Sequence, residues 1–411
     1  MRAPHHHLLP TAPSERIELL DVLRGFALLG ILAVNVRYFA TPIYLAVSGG
    51  SWGTGLLDRI ADFFIHFFVE GKFYSLFSFL FGVGLALTMR RAHKRGTPFV
   101  PLVARRLGVL LLIGIMHTYF LWFGDILIAY SILGFVLLSF RNRSDKTLLM
   151  TSAACLLFPI LIQISLYALV EWGRSNPEMA AKLENDFAEN HANYIAWTQQ
   201  SYEAYAKGNY RDVLLQRWKD VKFAYLRFFF QGSAFQILAM FLLGLWAGRN
   251  RILQEIHTHL HRHREIAPWL ILVSLLGNTI YVFASYASNP GIPSPMGILK
   301  ATGFAVGAPL LCFVYVIGVS VLVQCKRWMV LAAVGRGALS NYLLQSVICS
   351  TIFYGYGFGL YGQWGPAVSL ALAAAVVTAQ VVLSNLWFHR YRFGPAEWLW
   401  RRLTYMRTVT G

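Results

Sequence analysis

The sequence predicts an all-α fold, a polytopic membrane helix bundle of about ten transmembrane helices with a small extracytoplasmic helical cap. Three observations carry that expectation. Hydrophobic residues make up 56% of the chain and charged residues 13%, with a mean hydropathy of +0.51, far from globular averages. Apolar runs of about 20 residues, the length that crosses a bilayer, recur along the whole chain. The connections between them alternate between basic and non-basic, as the orientation rule for Lys and Arg requires.

In chain order, residues 1–16 form a Pro- and His-bearing tail expected to be disordered and cytoplasmic, with no cleavable signal because the first apolar run is long and interrupted by charge. Residues 17–170 make a first bundle, with spans starting near Ile17, Asp62, Val103, Ile126 and Leu148. Residues 171–227 mix Glu and Lys with Tyr194, Trp197, Tyr202, Tyr205 and Trp218, and read as two or three amphipathic cap helices whose aromatic rings lie at headgroup level or stack a sugar. Residues 228–390 make a second bundle, with starts near Phe228, Ala267, Ile298, Leu331 and Ala367, and 391–411 form a basic tail. Arg90, Arg91, Lys94 and Arg95 follow the second span, Arg141, Arg143 and Lys146 the fourth, Arg249 and Arg251 the sixth, and Lys326 and Arg327 the eighth. Every even-numbered exit is therefore basic, which places both termini in the cytoplasm.

The formal charge of +17 is accounted for by these connections, so the basicity reads as topology and no nucleic-acid partner is expected. Cys155, Cys312, Cys325 and Cys349 lie in or beside apolar runs without CxxC spacing, so neither a zinc site nor a disulfide framework is implied. His257, His259, His261 and His263 alternate in a basic connection and read as a solvated loop. The Gly357–Gly362 match to GxGxxG has no strand before it and fails as a dinucleotide fingerprint. Gly244 with Gly248, and Gly303 with Gly307, have the spacing that lets helices approach closely. No fixed-period repeat, inverted repeat or pair of broken helices is evident.

Chemistry is suggested by polar residues inside the spans, where a charge costs about 2.5–3.5 kcal/mol by insertion scales. The first span carries Asp21, Arg24 and Asn35. The second puts His66 and Glu70 four apart on one helical face, with Lys72 beyond Gly71. The third carries His117, with Asp125 past its end. Counting about 1.5 Å of rise per residue, Asn35, His66, Glu70, Lys72, His117 and Asp125 fall in one layer of the outer half, whereas Asp21, Arg24, Arg105 and Arg106 fall at the cytoplasmic end. Charge-neutralised helix packing is the plain alternative for Glu70 and Lys72, as a hydrogen-bonded core histidine is for His117.

Residues 21–35 (DVLRGFALLGILAVN), 71–84 (GKFYSLFSFLFGVG), 122–130 (WFGDILIAY) and 335–346 (GRGALSNYLLQS) resemble the YeiB-like bacterial inner-membrane proteins, whose C-terminal half is a domain of unknown function with a tentative transport role. The match runs in order over nearly the whole chain. The first half is more distantly similar to the transmembrane acyltransferase superfamily, whose members acylate carbohydrates beyond the membrane from acyl-CoA-type donors. Asn35, eleven positions after Arg24, stands where many of those enzymes have His, although the lysosomal glucosaminide N-acetyltransferase branch has Asn there and uses a His elsewhere. Gln345 likewise stands where a related motif often has His. The resemblance implies Arg24 as a donor-side residue and Asn35 as a pocket residue.

The leading expectation is an acyltransferase with no bound cofactor and no metal, using an acyl-CoA-type cosubstrate and a carbohydrate or lipid-linked acceptor, either as a single chain or as a homo-oligomer. Arg24, Arg105 and Arg106 would grip donor phosphates. His117, oriented by Glu70 or Asp125, would act as the base, and Lys72 or Asn35 would face the oxyanion. His66, Asp21 and Gln345 complete the expected site. The alternative is a transporter or flippase with Glu70, Lys72 and Asp125 as a coupling site; a third is a non-catalytic scaffold.

Overall fold

The computed structural model describes residues 17–47, 50, 52–256, 260–289, 291–324 and 326–405, and these are helical with no strand among them. The predicted N-terminal tail, His257, His259, the side chains of His261 and His263, Cys325 and the end of the basic tail lie outside this description. The helices are α1 (Glu18–Ala40), α2 (Leu56–Phe64), α3 (Lys72–Lys94), α4 (Phe99–Phe120), α5 (Leu127–Ser139), α6 (Asp145–Arg174), α7 (Pro177–Lys207) and α8 (Tyr210–Phe230). They continue as α9 (Ser233–Arg249), α10 (Leu260–Ala287), α11 (Pro295–Leu322), α12 (Val330–Arg336), α13 (Ala338–Phe353), α14 (Pro366–Arg390) and α15 (Pro395–Tyr405).

Seven helical stretches among the described residues are long and apolar enough to cross a membrane, and α8 with α9, bent by 59°, makes an eighth if taken together. The other two expected spans are shorter apolar helices, α5 and α13. The bundle turns its apolar side chains outward as well as inward: Leu157, Leu161 and Leu169 on α6, Trp269 and Phe283 on α10, and Leu383 and Leu386 on α14 are all exposed. Such a surface is stable only in lipid, and the protein is a multi-pass membrane helix bundle.

Three expected continuous spans are broken. The second passes through a π-helical turn at Ile65–Val69 and breaks at Glu70 and Gly71, the latter with φ +85°. The sixth breaks at Gly232, φ +84°, and the ninth at Gly337 between α12 and α13. Such single breaks escape a sequence reading, because a hydropathy window averages over a one-residue break at glycine. In the segment expected to form the cap, α6 runs through to Arg174 and two helices follow. Asn176 caps α7, with Pro177 opening it, and Asn209 with Asp212 forms a capping box on α8.

Glycine positions set the closest approaches. A methyl group on Gly244 would run into the Phe79 carbonyl oxygen of α3, and one on Gly248 into Ala86, while Gly303 and Gly307 leave no room for a Cβ against α10. Both GxxxG pairs therefore lie at helix contacts, where van der Waals packing holds membrane helices together. Gly244→Leu is expected to separate α3 from α9 and abolish a sharp thermal transition in detergent, measured beside wild type; an unchanged melting temperature would show that the contact is dispensable.

The basic connections gather at one end of the bundle. Arg90 donates to the carbonyls of Gly248 at 2.5 Å and Arg249 at 3.3 Å. Arg249 in turn donates to the Arg143 carbonyl at 2.7 Å, and Arg105 to that of Thr404 at 3.2 Å. At the other end, α7 and α8 cover the helix termini, with Tyr210 and Arg217 donating to the carbonyls of Phe120 and Tyr119 at 2.9 and 2.8 Å.

Candidate functional site

Two cavities enter the bundle from opposite ends. The first, about 1180 Å³, lies toward the α7–α8 end and is lined by Asn35, Arg37, Asp62, His66, Glu70 and Asp125 among others. The second, about 590 Å³, lies toward the basic end between α1, α3, α4, α12 and α15. Its lining has seven cations, Arg24, Arg90, Arg91, Lys94, Arg106, Arg336 and Arg401, against two carboxylates, Asp21 and Glu397, so its field favours an anion. α1 runs past both: Arg24, Leu28 and Ile31 face the second cavity, and Val34 and Asn35 the first. Ile126 borders both.

The wall between them holds a hydrogen-bonded chain. α4 ends after His117, the chain turns without helix through Trp122–Ile126, and α5 begins. Gly124 permits that turn, because a Cβ there would strike the Trp122 ring. Asp125 accepts the Ile128 N–H at 2.8 Å with one carboxylate oxygen and faces His117 Nδ1 at 2.8 Å with the other. His117 Nε2 lies 2.8 Å from Ser346 Oγ on α13. All three side chains are buried, and the His117 ring packs 5.1 Å from that of Tyr342, which lines the second cavity. A carboxylate fixed at one oxygen by a backbone N–H accepts a hydrogen bond from Nδ1–H with the other, leaving Nε2 as an acceptor for the Ser346 hydroxyl.

The break in the second span builds a separate cluster on the first cavity. His66 Nδ1 is in short contact with Glu70, which also accepts the Tyr281 hydroxyl at 2.8 Å. Arg37 donates to His66 Nε2 at 3.2 Å and pairs with Asp62 at 3.7 Å, and Tyr286 donates to Asp62 at 2.9 Å. Lys72, fully buried, donates to the His66 carbonyl at 2.9 Å across the break and lies over the Tyr281 ring.

These contacts revise several sequence expectations. Glu70 holds His66, not His117, whose orienting carboxylate is Asp125. Lys72 ties together the helix break and lines neither cavity. Arg105 is exposed and lines neither cavity, unlike Arg106, because adjacent helical residues point about 100° apart. Gln345 is buried and donates to Gln380 at 2.8 Å, which donates to the Asn341 carbonyl at 2.9 Å, so it packs α13 on α14. Asp21 pairs with Arg24 at 2.9 Å on the second cavity. Ser346, Arg37, Asp62, Tyr281, Arg227 and Lys300 were not singled out in the sequence. Arg37 and Asp62 were visible as charges at span ends, whereas nothing distinguishes Ser346 from other span serines.

Relatives extend over the full chain. It is 36% identical to the uncharacterized protein YxaH of Bacillus subtilis (strain 168) over 97% of this chain and 96% of that one. It is 28% identical to the uncharacterized protein YeiB of Escherichia coli (strain K12), covering 95% and 96% of the two. A 39.9 kDa protein encoded in the amylase 3′ region of Bacillus acidopullulyticus is also 28% identical, over 97% and 96%. Residues 247–407 match the family described as protein of unknown function (DUF418). The chain belongs to the YeiB-like family. In this YeiB-like protein the matched region supplies Ser346, Tyr342 and the α15 side of the second cavity, while Asp125 and His117 come from outside it.

α15 is clasped over that cavity by Glu397, whose carboxylate accepts the backbone N–H of Leu339 at 2.7 Å and the Ser340 hydroxyl at 2.5 Å at the start of α13. Glu397→Ala removes this cap and is expected to cost about 1–3 kcal/mol. Thermal unfolding in detergent should show a lower melting temperature, and one equal to wild type would count against the clasp.

Proposed function

We propose that this YeiB-like protein transfers an acyl group from a CoA-type donor in the basic cavity to a hydroxyl-bearing acceptor in the opposite cavity. The supporting observation is the position of the Asp125–His117 pair in the wall that separates the two. A histidine with a fixed carboxylate partner is a competent general base, contributing typically about 10²–10⁴-fold. The donor's phosphates suit a cavity lined by seven cations, since guanidinium groups bind phosphate by paired hydrogen bonds. The first cavity balances Arg37, Arg59, Arg227 and Lys300 against Asp58, Asp62, Glu70 and Asp125, and adds Trp52 and Trp122. Mixed donors and acceptors with aromatic faces suit a carbohydrate or a lipid-linked sugar. With the basic end in the cytoplasm, transfer runs outward across the inner membrane.

Calorimetry of acetyl-CoA binding to the purified protein, with Arg24→Ala and His117→Ala alongside, tests the reading. Binding that weakens in Arg24→Ala and persists in His117→Ala supports it; no binding to wild type overturns it for this donor. One observation favours a second reading, transport: the broken second span brings Asp62, His66 and Glu70 to the first cavity opposite Arg37 of α1, and discontinuous helices with ionisable groups are how many transporters build their sites. Substrate uptake into proteoliposomes without CoA consumption would select that reading.

A further inference from the structure

The hydroxyl of Ser346 is directed differently from those of several buried span serines. Ser78, Ser131 and Ser320 each donate to the carbonyl four residues back, at 2.7, 2.8 and 2.6 Å, the usual disposition of a serine inside a helix. Ser346 lies 3.5 Å from the corresponding Tyr342 carbonyl and 2.8 Å from His117 Nε2. With Nδ1 committed to Asp125, the chain Ser346–His117–Asp125 has the order of a nucleophile, its base and the base's orienting carboxylate, an arrangement recognised by geometry whatever the fold.

Its location gives that arrangement a use. Asp125 faces the first cavity and Tyr342, one turn before Ser346, faces the second. Direct transfer would require the donor thioester and the acceptor hydroxyl to meet through the wall, whereas a nucleophile within the wall can receive the acyl group from one side and release it to the other. We propose that Ser346 is the nucleophile of a double displacement and carries the acyl group as an ester between the two cavities; this rests on the acyl-transfer reading.

In the first half-reaction Ser346 Oγ attacks the thioester carbonyl carbon as His117 Nε2 takes its proton. The C–S bond breaks, and CoA leaves as the thiol with the proton returned by His117. In the second, His117 removes the acceptor's hydroxyl proton, the acceptor oxygen attacks the ester carbonyl, and the C–Oγ bond breaks with the proton restored to Ser346. Asp125 stays ionised and holds the imidazolium in both. Ser346 and His117 line neither cavity, while Tyr342, packed on the His117 ring, lines the second, so an acyl chain reaches Oγ by displacing side chains of the wall.

A double displacement with a CoA donor exchanges labelled CoA into acetyl-CoA without any acceptor, so this isotope exchange is the test, run with acetyl-CoA binding in parallel. Wild type is expected to exchange and to trap labelled acetyl on the protein. Ser346→Ala should bind acetyl-CoA and lose exchange by about 10³-fold or more. Ser346→Cys should retain a label that, unlike the serine ester, is released by neutral hydroxylamine, which keeps the test decisive if the alanine variant fails to fold. Binding in wild type without exchange or label overturns the covalent step while leaving acyl transfer intact, as does undiminished exchange in Ser346→Ala. Absence of acetyl-CoA binding in wild type overturns the acyl-transfer reading for this donor, and the covalent step with it.

Discussion

Asp125→Asn is expected to reduce donor-dependent release of CoA thiol by about 10⁴-fold, the size of loss that a wrong histidine tautomer causes in a serine–histidine–aspartate triad. The substitution preserves shape, and Asn can still accept the Ile128 N–H that Asp125 now binds at 2.8 Å. Its amide can also donate to His117 Nδ1, which moves the ring proton to Nε2 and leaves that nitrogen unable to accept from Ser346. His117→Ala removes the base outright and should be at least as damaging. Thiol release from acetyl-CoA by purified protein supplied with envelope carbohydrate measures both, with melting temperatures as the folding control. If folded Asp125→Asn retains wild-type rate, the buried chain is packing and the base lies elsewhere.

Arg24→Gln and Arg106→Gln are each expected to weaken acetyl-CoA binding by about 10- to 100-fold, the loss of one charge-assisted hydrogen bond of about 1.5–3 kcal/mol. Arg105→Gln is the internal control. Its neighbour Arg106 lines the second cavity and lies over the Trp400 ring at 4.6 Å, whereas Arg105 is exposed and donates to the Thr404 carbonyl. Calorimetry should therefore find Arg105→Gln close to wild type. Equal losses at all three positions would mean that general basicity, not this cavity, attracts the donor. Added salt should weaken wild-type binding more than that of the Arg24→Gln, Arg106→Gln double variant, since part of the attraction is screened charge.

The residues with chemistry were largely legible as polar interruptions of apolar runs: Arg24, Asn35, His66, Glu70, His117 and Asp125 all border one of the two cavities or, for His117, the wall between them. Their pairings were less legible. His66 and Glu70 belong together because they sit one helical turn apart, and His117 meets Asp125 because the turn after α4 is short, so both pairs are nearly local. Ser346 is 229 positions from His117, and a serine costs too little in an apolar helix to show in any hydropathy window. The breaks at Gly71, Gly232 and Gly337 escaped for the related reason that one glycine hardly changes a 20-residue average.

The sequence by itself determined that this chain is an all-helical membrane protein, which segments are apolar, where its basic connections fall and which family it resembles. Those properties follow from composition and from short-range spacing, which each segment carries wherever it packs. The tertiary structure decided that Arg24 and Asn35 face different cavities, that Asp125 and not Glu70 orients His117, and that Ser346 completes the chain. Those facts depend on which faces of helices far apart in sequence come into contact, and close approach at residues such as Gly244 and Gly303 sets that contact.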